Sequence, residues 1–495
     1  MKDLKTKLLN RIPIEVIETA EKLEFELYAV GGCIRNILID RQFDDIDFAV
    51  VGDAVTLAQN ISERIQSKKV AVYRRFGTAL VGTKMGDLEF ATSRSESYQS
   101  DSRKPVDLLP VDIEDDLCRR DFTVNALAFG LTGKKRDQLL DIFSGQDDLE
   151  ARIIRTPLDP DTTFSDDPLR MLRAVRFAAD LGFEIAAETF EGIRNNAGRL
   201  SIIAGERIRD EFMKMISGSD PVKAMRLLID TNLMKEFLPE ILDMQGVDQI
   251  GKYHHKDVLK HSLRVMQNVI DTSTDPILRL SALLHDVGKP ATKRFFKDLG
   301  WTFHGHEMVG AKLSWKIGRR LKLGKEKTAR MSKLISLHMR PVNLTSEGVS
   351  DSAIRRLMFD CENDIDAQLT LCRADITTAN PKLVDHYLAN FKEVQHRMGN
   401  VEARDKMRNF NSPVRGSEII EICQIKPGPI VGAIKGRIED AILDGIIAND
   451  YESAKAYMLK IKDDVISTNI ETLEEERRLR IQERRKITSN YKFPE

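Results

Sequence analysis

Two aspartates set two residues apart, Asp45 and Asp47 in DDIDFAVV, offer the first chemistry in this sequence. On an extended strand they point to one face while Ile46 and Phe48 point to the other. Adjacent carboxylates repel unless a cation lies between them. The apolar continuation Ala49-Val50-Val51 carries the strand toward a core, where unpaired carboxylates are expensive. Glu89, between Leu88 and Phe90 in GDLEFATSR, offers a third carboxylate on a second strand. Three oxygen donors suit Mg2+, a hard ion that keeps several waters and binds substrate phosphates. Two such ions stabilise the attacking and leaving oxygens of an in-line displacement at phosphorus. The plainer alternative for the aspartate pair is the solvated face of an edge strand.

Upstream, YAVGGCIRNILI sets a short apolar strand against Gly31 and Gly32 and then a helix predicted to begin near Ile34. Glycines without Cβ let the backbone approach a polyphosphate closely, with helix-start amides and Arg35 supplying positive charge. A tight strand-to-helix turn accounts for the same residues without a ligand. In FSDDPLRMLRAVRFAADLGF, Asp167 reads as a helix N-cap, Pro168 fits the first turn and Gly182 marks the stop. Asp167 and Arg170, three apart, can project from one side of that helix start.

Seven of the nine histidines fall between His254 and His338. His261 lies in DVLKHSLRVM and the adjacent pair His285-Asp286 in LSALLHDVGKP, followed by His306, His338 and Asp375 of LCRADI. A lone helical histidine is usually a hydrogen-bonded core or surface residue. An adjacent His-Asp inside an apolar helix needs partners, and a divalent metal supplies one.

The elements that must position these residues change character along the chain. Short alternating runs with glycine turns between Tyr28 and about Phe129 predict a small α/β head with a mixed β-sheet; from about Asp167 the period is helical almost throughout. At 495 residues the chain exceeds the roughly 250–300 residues at which a single core stops growing, so several domains are expected. Boundaries are drawn at 1–150 for the head, 151–245 for a helical neck and body, 246–400 for the histidine-rich helical domain and 401–495 for a helical tail.

The balance of 76 basic and 77 acidic residues excludes bulk basicity, so any nucleic-acid site must be a local patch. Five dispersed cysteines without a CxxC pair argue against a disulfide framework or zinc ribbon and fit a reducing compartment. No apolar run has the length of a signal peptide core or a membrane span, which predicts a cytoplasmic protein with no membrane partner.

Taken in order, Gly31-Gly32-Cys33-Ile34-Arg35, Asp45-Ile46-Asp47 and Arg119-Arg120-Asp121-Phe122-Thr123-Val124-Asn125-Ala126 resemble the successive motifs of class II tRNA nucleotidyltransferases and related bacterial poly(A) polymerases. The resemblance implies that Asp45 and Asp47 hold two Mg2+ ions with Glu89 assisting. It further implies that Arg119, Arg120 and Asn125 help bind the nucleotide or its triphosphate. The plainer alternative for Arg119 to Asp121 is a charge cluster at a helix start.

Asp166-Asp167-Pro168-Leu169-Arg170 is similar to the motif whose Asp and Arg act as a protein template. Cytosine and adenine both present an amino donor beside a ring-nitrogen acceptor, which an Asp acceptor beside an Arg donor accepts. Guanine and uracil leave like groups opposed, at roughly 1–3 kcal/mol per buried group. Two departures stand out: Asn36 where the family usually has Asp, and Asp166 where Glu is common.

The polar stretch from Ser93 to Pro110 resembles the full-length loop of relatives that add the terminal A. This favours addition of C, C and A to the tRNA 3′ end from CTP and ATP, with A-only addition or a poly(A) polymerase as alternatives. HDxGK and the histidine spacings resemble HD-domain phosphohydrolases over about Lys252 to Ala379. That likeness implies that His261, His285, Asp286 and Asp375 bind one divalent metal, with His306 and His338 completing a second site or holding phosphate. In relatives with intact HD signatures this domain can hydrolyse phosphoesters such as 2′,3′-cyclic phosphates. An HD phosphohydrolase or RNA-binding protein with an inactive head is the alternative of another class. KPGPIVG resembles a turn in family tail domains that hold the tRNA elbow, where Lys426, Lys435 and Arg437 could meet phosphates; a plain helix-helix turn explains it equally. The charged run Arg477 to Lys486 reads as a solvated helix.

Overall fold

The computed structural model describes residues 2–96, 108–251, 254–298, 300–343, 350–377, 381–405, 410 and 412–486. They form two compact units, Met1–Phe237 and Leu238–Glu495. Most of the Ser93–Pro110 loop, residues 97–107, lies outside the described residues.

The first unit is built on a mixed sheet. Its strands are β1 (Glu26–Val30), β2 (Ile46–Val51), β3 (Val70–Tyr73), β4 (Thr78–Thr83) and β5 (Gly86–Thr92). A separate short ladder joins β6 (Arg94–Glu96) to β7 (Leu108–Pro110), and β8 (Ala128–Gly130) and β9 (Leu139–Leu140) complete the main sheet. Its order is β3-β4-β5-β2-β1-β8-β9, with β2 antiparallel to β1 and parallel to β5.

The apolar residues of each strand decide how the sheet is buried. On one face Phe48 stacks on Phe90 with ring centroids 4.8 Å apart, and helix Ala54–Arg64 packs over β2, β4 and β5. That helix is started by Asp53, whose carboxylate accepts the amides of Val55 and Thr56. On the other face Tyr28, Val30 and Ala49 pack with Ile113 and Leu117 of helix Ile113–Cys118. Asp47 is the register partner of Val30 and so belongs to this second face, one step beyond Ala49.

The helical part of the unit follows, with Asp159 capping helix Pro160–Asp166 and helix Leu169–Leu181 ending at Gly182, whose φ of 72° suits a residue without Cβ. Phe177 of this helix meets Phe122 edge-on at 5.9 Å, tying the helix to the head.

In the second unit, helices Val258–Ile270, Pro276–Leu284, His306–Arg320, Lys325–Leu337 and Ile365–Asp375 surround the histidines. The expectation of an almost wholly helical chain after Asp167 holds, with two short strand pairs as exceptions within this unit. Arg294–Phe296 and Gly300–Thr302 pair as an antiparallel hairpin, and Asp248–Gly251 pairs with His254–Asp257. The Phe-Phe pair favours strand, and Gly300 opens the second strand at φ 72°. Four further helices, Gly416–Cys423, Pro429–Leu443, Tyr451–Ser467 and Ile470–Lys486, close on an Ile419, Ile434, Ile438, Met458 and Leu473 core. All five cysteines are free. No helix among the described residues is long and apolar enough to cross a membrane.

Candidate active sites

The glycine turn comes first because its backbone dictates its composition. Gly31 adopts φ 73°, ψ −124°, a region closed to L-residues with a Cβ. A Cβ there would lie 3.0 Å from Arg120 Nη1 and 3.6 Å from the Asn125 carbonyl oxygen. The Gly31 amide donates to the Leu127 carbonyl at 3.0 Å, which pins the turn to the segment before β8. Gly32 opens helix Gly32–Leu38, two residues earlier than its sequence suggested.

Arg35 lies beneath this turn, with 8% of its surface exposed. It donates to Asn125 Oδ1 at 2.6 Å and through Nε and Nη2 to Asn36 Oδ1 at 3.0 and 2.8 Å, and its guanidinium sits 5.0 Å from the Phe177 ring centre. Burial pulls its pKa down to about 10. Asn36, the departure from the family pattern, thus still receives both guanidinium hydrogens, and its own amide donates to the Gln42 carbonyl at 3.1 Å.

Asp47 and Glu89 are register partners across the parallel pair β2–β5, and Asp45 precedes β2 by one residue rather than lying within it. All three are exposed. Desolvation by the surrounding protein raises the Asp47 pKa; Arg120 opposes the shift and Asp45 reinforces it. Glu89 is likewise raised, first by desolvation and then by Asp47, Asp45 and Asp87. An open face that gathers like charges against their own repulsion fits a divalent cation.

Arg120 stands between this face and the glycine turn. Its Nη2 donates to Asp116 Oδ2 at 3.2 Å, while its Nε is buried without a hydrogen-bond partner, as expected of a donor that awaits a ligand anion. Arg119 reaches the same aspartate, with Nε and Nη2 at 3.0 and 2.6 Å from Asp116 Oδ1. Burial pushes Asp116 upward, yet Arg120 and Arg119 hold its carboxylate below its ordinary range.

Asn125 completes a chain of contacts, donating to Asp121 Oδ1 at 3.0 Å while Asp121 Oδ2 receives Arg173 Nε at 2.7 Å. Burial works against the Asp121 carboxylate, but Arg173 and the hydrogen bond from Asn125 bring its pKa down to about 2. Asp116, Asp121 and Arg173 were missed as functional residues. A signal existed: Arg170, Arg173 and Arg176 recur every third residue on one helix, a polar row that needs acidic partners.

Asp167 contacts the helix start and a neighbouring arginine. Its Oδ1 accepts the Leu169 amide at 3.1 Å and its Oδ2 lies 3.5 Å from Arg207 Nη2, while Pro168 takes the N-cap position itself. Arg170 donates to the carbonyls of Arg119 at 2.6 Å and Thr163 at 3.4 Å, so backbone contacts anchor its guanidinium.

In the second unit His261, His285, Asp286, His306, His338 and Asp375 converge as overlapping ligand triads. His261 Nε2 is 2.8 Å from Asp375 Oδ1, His285 Nε2 is 3.2 Å from Asp286 Oδ2, and His306 Nε2 is 3.2 Å from His338 Nε2. Every Nδ1 is turned outward, meeting Thr377 Oγ1 at 3.0 Å and the carbonyls of Ala282, Phe303 and Ile335 at 2.8, 2.9 and 2.7 Å. A carbonyl partner fixes the proton on Nδ1 and leaves the Nε2 lone pair pointing into the cluster, as metal ligation requires. His285 Nε2 is buried without a hydrogen-bond partner, so the residues present fit a divalent ion. Burial disfavours the charged His285 ring, but Asp286 and Asp375 outweigh it and raise its pKa to about 10; desolvation and the neighbouring histidines lower His338 to about 3.

In the tail, Arg437 is already paired with Asp464 at 2.7 Å and Glu476 at 3.1 Å, and Lys435 lies 4.0 Å from Glu439. The KPGPIVG turn leads directly into helix Pro429–Leu443.

Family models match three stretches of the chain. The Poly A polymerase head domain matches residues 27–155, the "Probable RNA and SrmB- binding site of polymerase A" matches 182–244, and the HD domain matches 258–380. The A-adding tRNA nucleotidyltransferase of Deinococcus radiodurans is 33% identical over 359 residues, 71% of this chain and 80% of that protein. The chain belongs to the tRNA nucleotidyltransferase family. Within that family, the CCA-adding enzyme of Streptococcus sanguinis is 28% identical over 446 residues, covering 90% of this chain and 96% of its own. The CCA-adding enzyme of Lactobacillus helveticus is 38% identical over 236 residues, and the match spans 57% of its length. Among solved structures, an apo CCA-adding enzyme aligns over 92% of this chain and 98% of its own with a TM-score of 0.62 at 22% identity. This bears out the expected fold, a mixed-sheet head followed by helical domains.

Proposed function

We propose that this chain is a CCA-adding tRNA nucleotidyltransferase, which extends the tRNA 3′ end without a nucleic-acid template using CTP and ATP. The observation that carries this reading is the pairing of Asp47 and Glu89 on one open face of the sheet, with Asp45 near both just before β2, beside a glycine turn and the buried, unpartnered Nε of Arg120. Asp45 and Asp47 would hold Mg2+, which when bound would supply charge that stabilises the attacking and departing oxygens. The tRNA 3′-hydroxyl attacks the α-phosphate and pyrophosphate leaves. Gly31, Gly32, Arg119 and Arg120 receive the triphosphate. Arg35 and Asn125 brace that cradle, since their polar atoms are spent on each other and on Asn36 and Asp121. Asp167 and Arg170 read the base edge, with acceptor and donor matched to cytosine and adenine.

The head and neck, 1–150 and 151–245, carry this reaction, and a tail at 401–495 takes the body of the tRNA. Such work on tRNA belongs in the cytoplasm. The 246–400 domain adds a metal-dependent phosphohydrolase, with His261, His285, Asp286 and Asp375 as ligands and His306 and His338 completing the cluster. It acts on phosphoesters such as 2′,3′-cyclic phosphates left on damaged RNA ends.

A second reading, A-only addition, is favoured by the long match to the Deinococcus radiodurans A-adding protein. Transcripts ending before CCA, after C and after CC, each offered labelled CTP or ATP, separate the two. Addition of C to the first two transcripts supports full CCA addition, incorporation of A alone supports the second reading, and unlimited A supports a poly(A) polymerase. Phosphatase activity with no incorporation would overturn the assignment of the head.

A further inference from the structure

Between the HD motif and His306 the chain makes a hairpin, Arg294–Phe296 with Gly300–Thr302, whose large side chains face solvent. Phe295 is 62% exposed, Phe296 46% and Trp301 38%, on a segment that also carries Lys293, Arg294 and Lys297 against a single acid, Asp298. Phe295 and Trp301 are cross-strand partners on one face, their ring centroids 5.3 Å apart, and Lys293 Nζ lies 4.7 Å from the Trp301 ring centre.

The hairpin leads back to the histidine cluster. Lys289 Nζ sits 5.7 Å from the Phe303 ring centre and donates to Asp286 Oδ2 at 2.7 Å, and the Phe303 carbonyl meets His306 Nδ1 at 2.9 Å. Exposed rings interleaved with cations, contiguous with a phosphoester site, suit a polyanion with free π-faces. Duplex RNA keeps its bases stacked, whereas a single strand offers them.

We propose that this hairpin is a base-stacking platform that holds single-stranded RNA and presents its phosphoester end to the histidine cluster. The inference deepens the phosphohydrolase reading and its delivery role rests on it.

Trp301 is one of only two tryptophans, so Trp315→Phe makes it the sole reporter in the full-length protein. Titration of that variant with a single-stranded hexanucleotide is expected to quench Trp301 fluorescence saturably. Ribose 5-phosphate and polyglutamate, which carry charge without a base, are expected to leave it unchanged. Adding Phe295→Ala should weaken apparent RNA affinity about tenfold, since each stacked base contributes appreciably. This position is open to solvent, so the variant should keep the parent melting temperature. Absence of quenching by RNA, equal quenching by polyglutamate, or unchanged affinity in Phe295→Ala would each overturn the platform. Hydrolysis of a 2′,3′-cyclic mononucleotide by metal-loaded protein, lost in His285→Ala, checks the parent reading separately. Its absence would overturn delivery to a phosphohydrolase, while the fluorescence titration alone decides whether RNA stacks on the hairpin.

Discussion

Asp47 and Glu89 stand opposite each other on the neighbouring parallel strands β2 and β5, with their side chains on the same open face of the sheet. Neither has gained a cationic ion-pair partner among the described salt bridges, and both are raised by desolvation and, in part, by nearby carboxylates. Their folded pKa values lie above the unfolded ones, so stability is fullest at low pH and is lost as pH rises through the folded values. Asp47→Asn should therefore raise the melting temperature of metal-free protein at pH 7 and lose that advantage near pH 4. The same substitution should cut nucleotide incorporation by about a thousandfold or more, since metal-borne charge stabilisation is worth several kcal/mol. Scanning fluorimetry with and without Mg2+, beside a primer-extension assay, tests both halves. A destabilised but active Asp47→Asn would contradict the assignment.

Gly31→Ala is expected to cost about 1–3 kcal/mol, because φ 73°, ψ −124° is strained for any residue with a Cβ. The new methyl would also crowd Arg120 Nη1, 3.0 Å away. Urea denaturation gives the stability, and the KM for CTP should rise more than that of Gly32→Ala, whose Cβ finds only Arg35 Nη2 at 3.8 Å.

Asp121→Asn tests the brace behind the cradle. Its folded pKa, about 2, is depressed below the unfolded value, so its contribution is present above the unfolded pKa and is lost as pH falls through the folded one. Wild type should exceed the variant by about 1–3 kcal/mol at pH 6, a value moderated because the Arg173 side chain remains 35% exposed. The gap should narrow as pH falls from about 4 toward about 2. Chemical denaturation across that window measures it, and a gap independent of pH would point to packing instead.

Asp167→Ala should lower kcat/KM for CTP and ATP by about ten- to a hundredfold, the worth of one buried hydrogen-bonding group, while sparing the weak use of GTP and UTP. Part of the loss comes through the helix start, since Asp167 Oδ1 also accepts the Leu169 amide at 3.1 Å. Asp167→Asn retains an acceptor for that amide, so it should restore stability without restoring selectivity. Parallel kinetics with the four nucleotides separate the two effects.

For the histidine cluster, a divalent ion such as Mn2+ at a hundredfold excess over its Kd should stabilise the folded protein by about 2.7 kcal/mol. EDTA should reverse the shift, and His285→Ala or Asp375→Ala should remove the part of it that the head carboxylates do not supply, while leaving nucleotide addition unchanged. Equal metal-induced shifts in wild type and both variants would place the bound ion elsewhere.

Much of this was written in short-range patterns. The alternation around Asp47 and Glu89 set which side chains share a face, because the strand period of two needs no tertiary information. Gly182 as a helix stop was equally local, whereas the His285-Asp286 pair, expected inside an apolar helix, lies in the turn that follows helix Pro276–Leu284. The hairpin at Arg294–Thr302 was passed over because its strands are three residues each, too short for a period to stand out against the helices around them.

What only the tertiary structure decided is which distant groups satisfy one another. Arg35 follows the glycine turn in sequence as a phosphate-binding cation would, yet its guanidinium is spent on Asn36, Asn125 and Phe177 because burial demands partners for a charge. Asp121 and Arg173, 52 residues apart, become a brace only once helix Leu169–Leu181 packs on the head. The six histidine-cluster ligands span His261 to Asp375, and their Nε2 atoms turn inward because three of the four rings donate Nδ1 hydrogens to carbonyls exposed in their own local turns. The sequence by itself determined the donor types and their faces; long-range packing determined which donors were consumed as supports and which were left for a ligand, since hydrogen-bond saturation in a buried site is settled by three-dimensional neighbours.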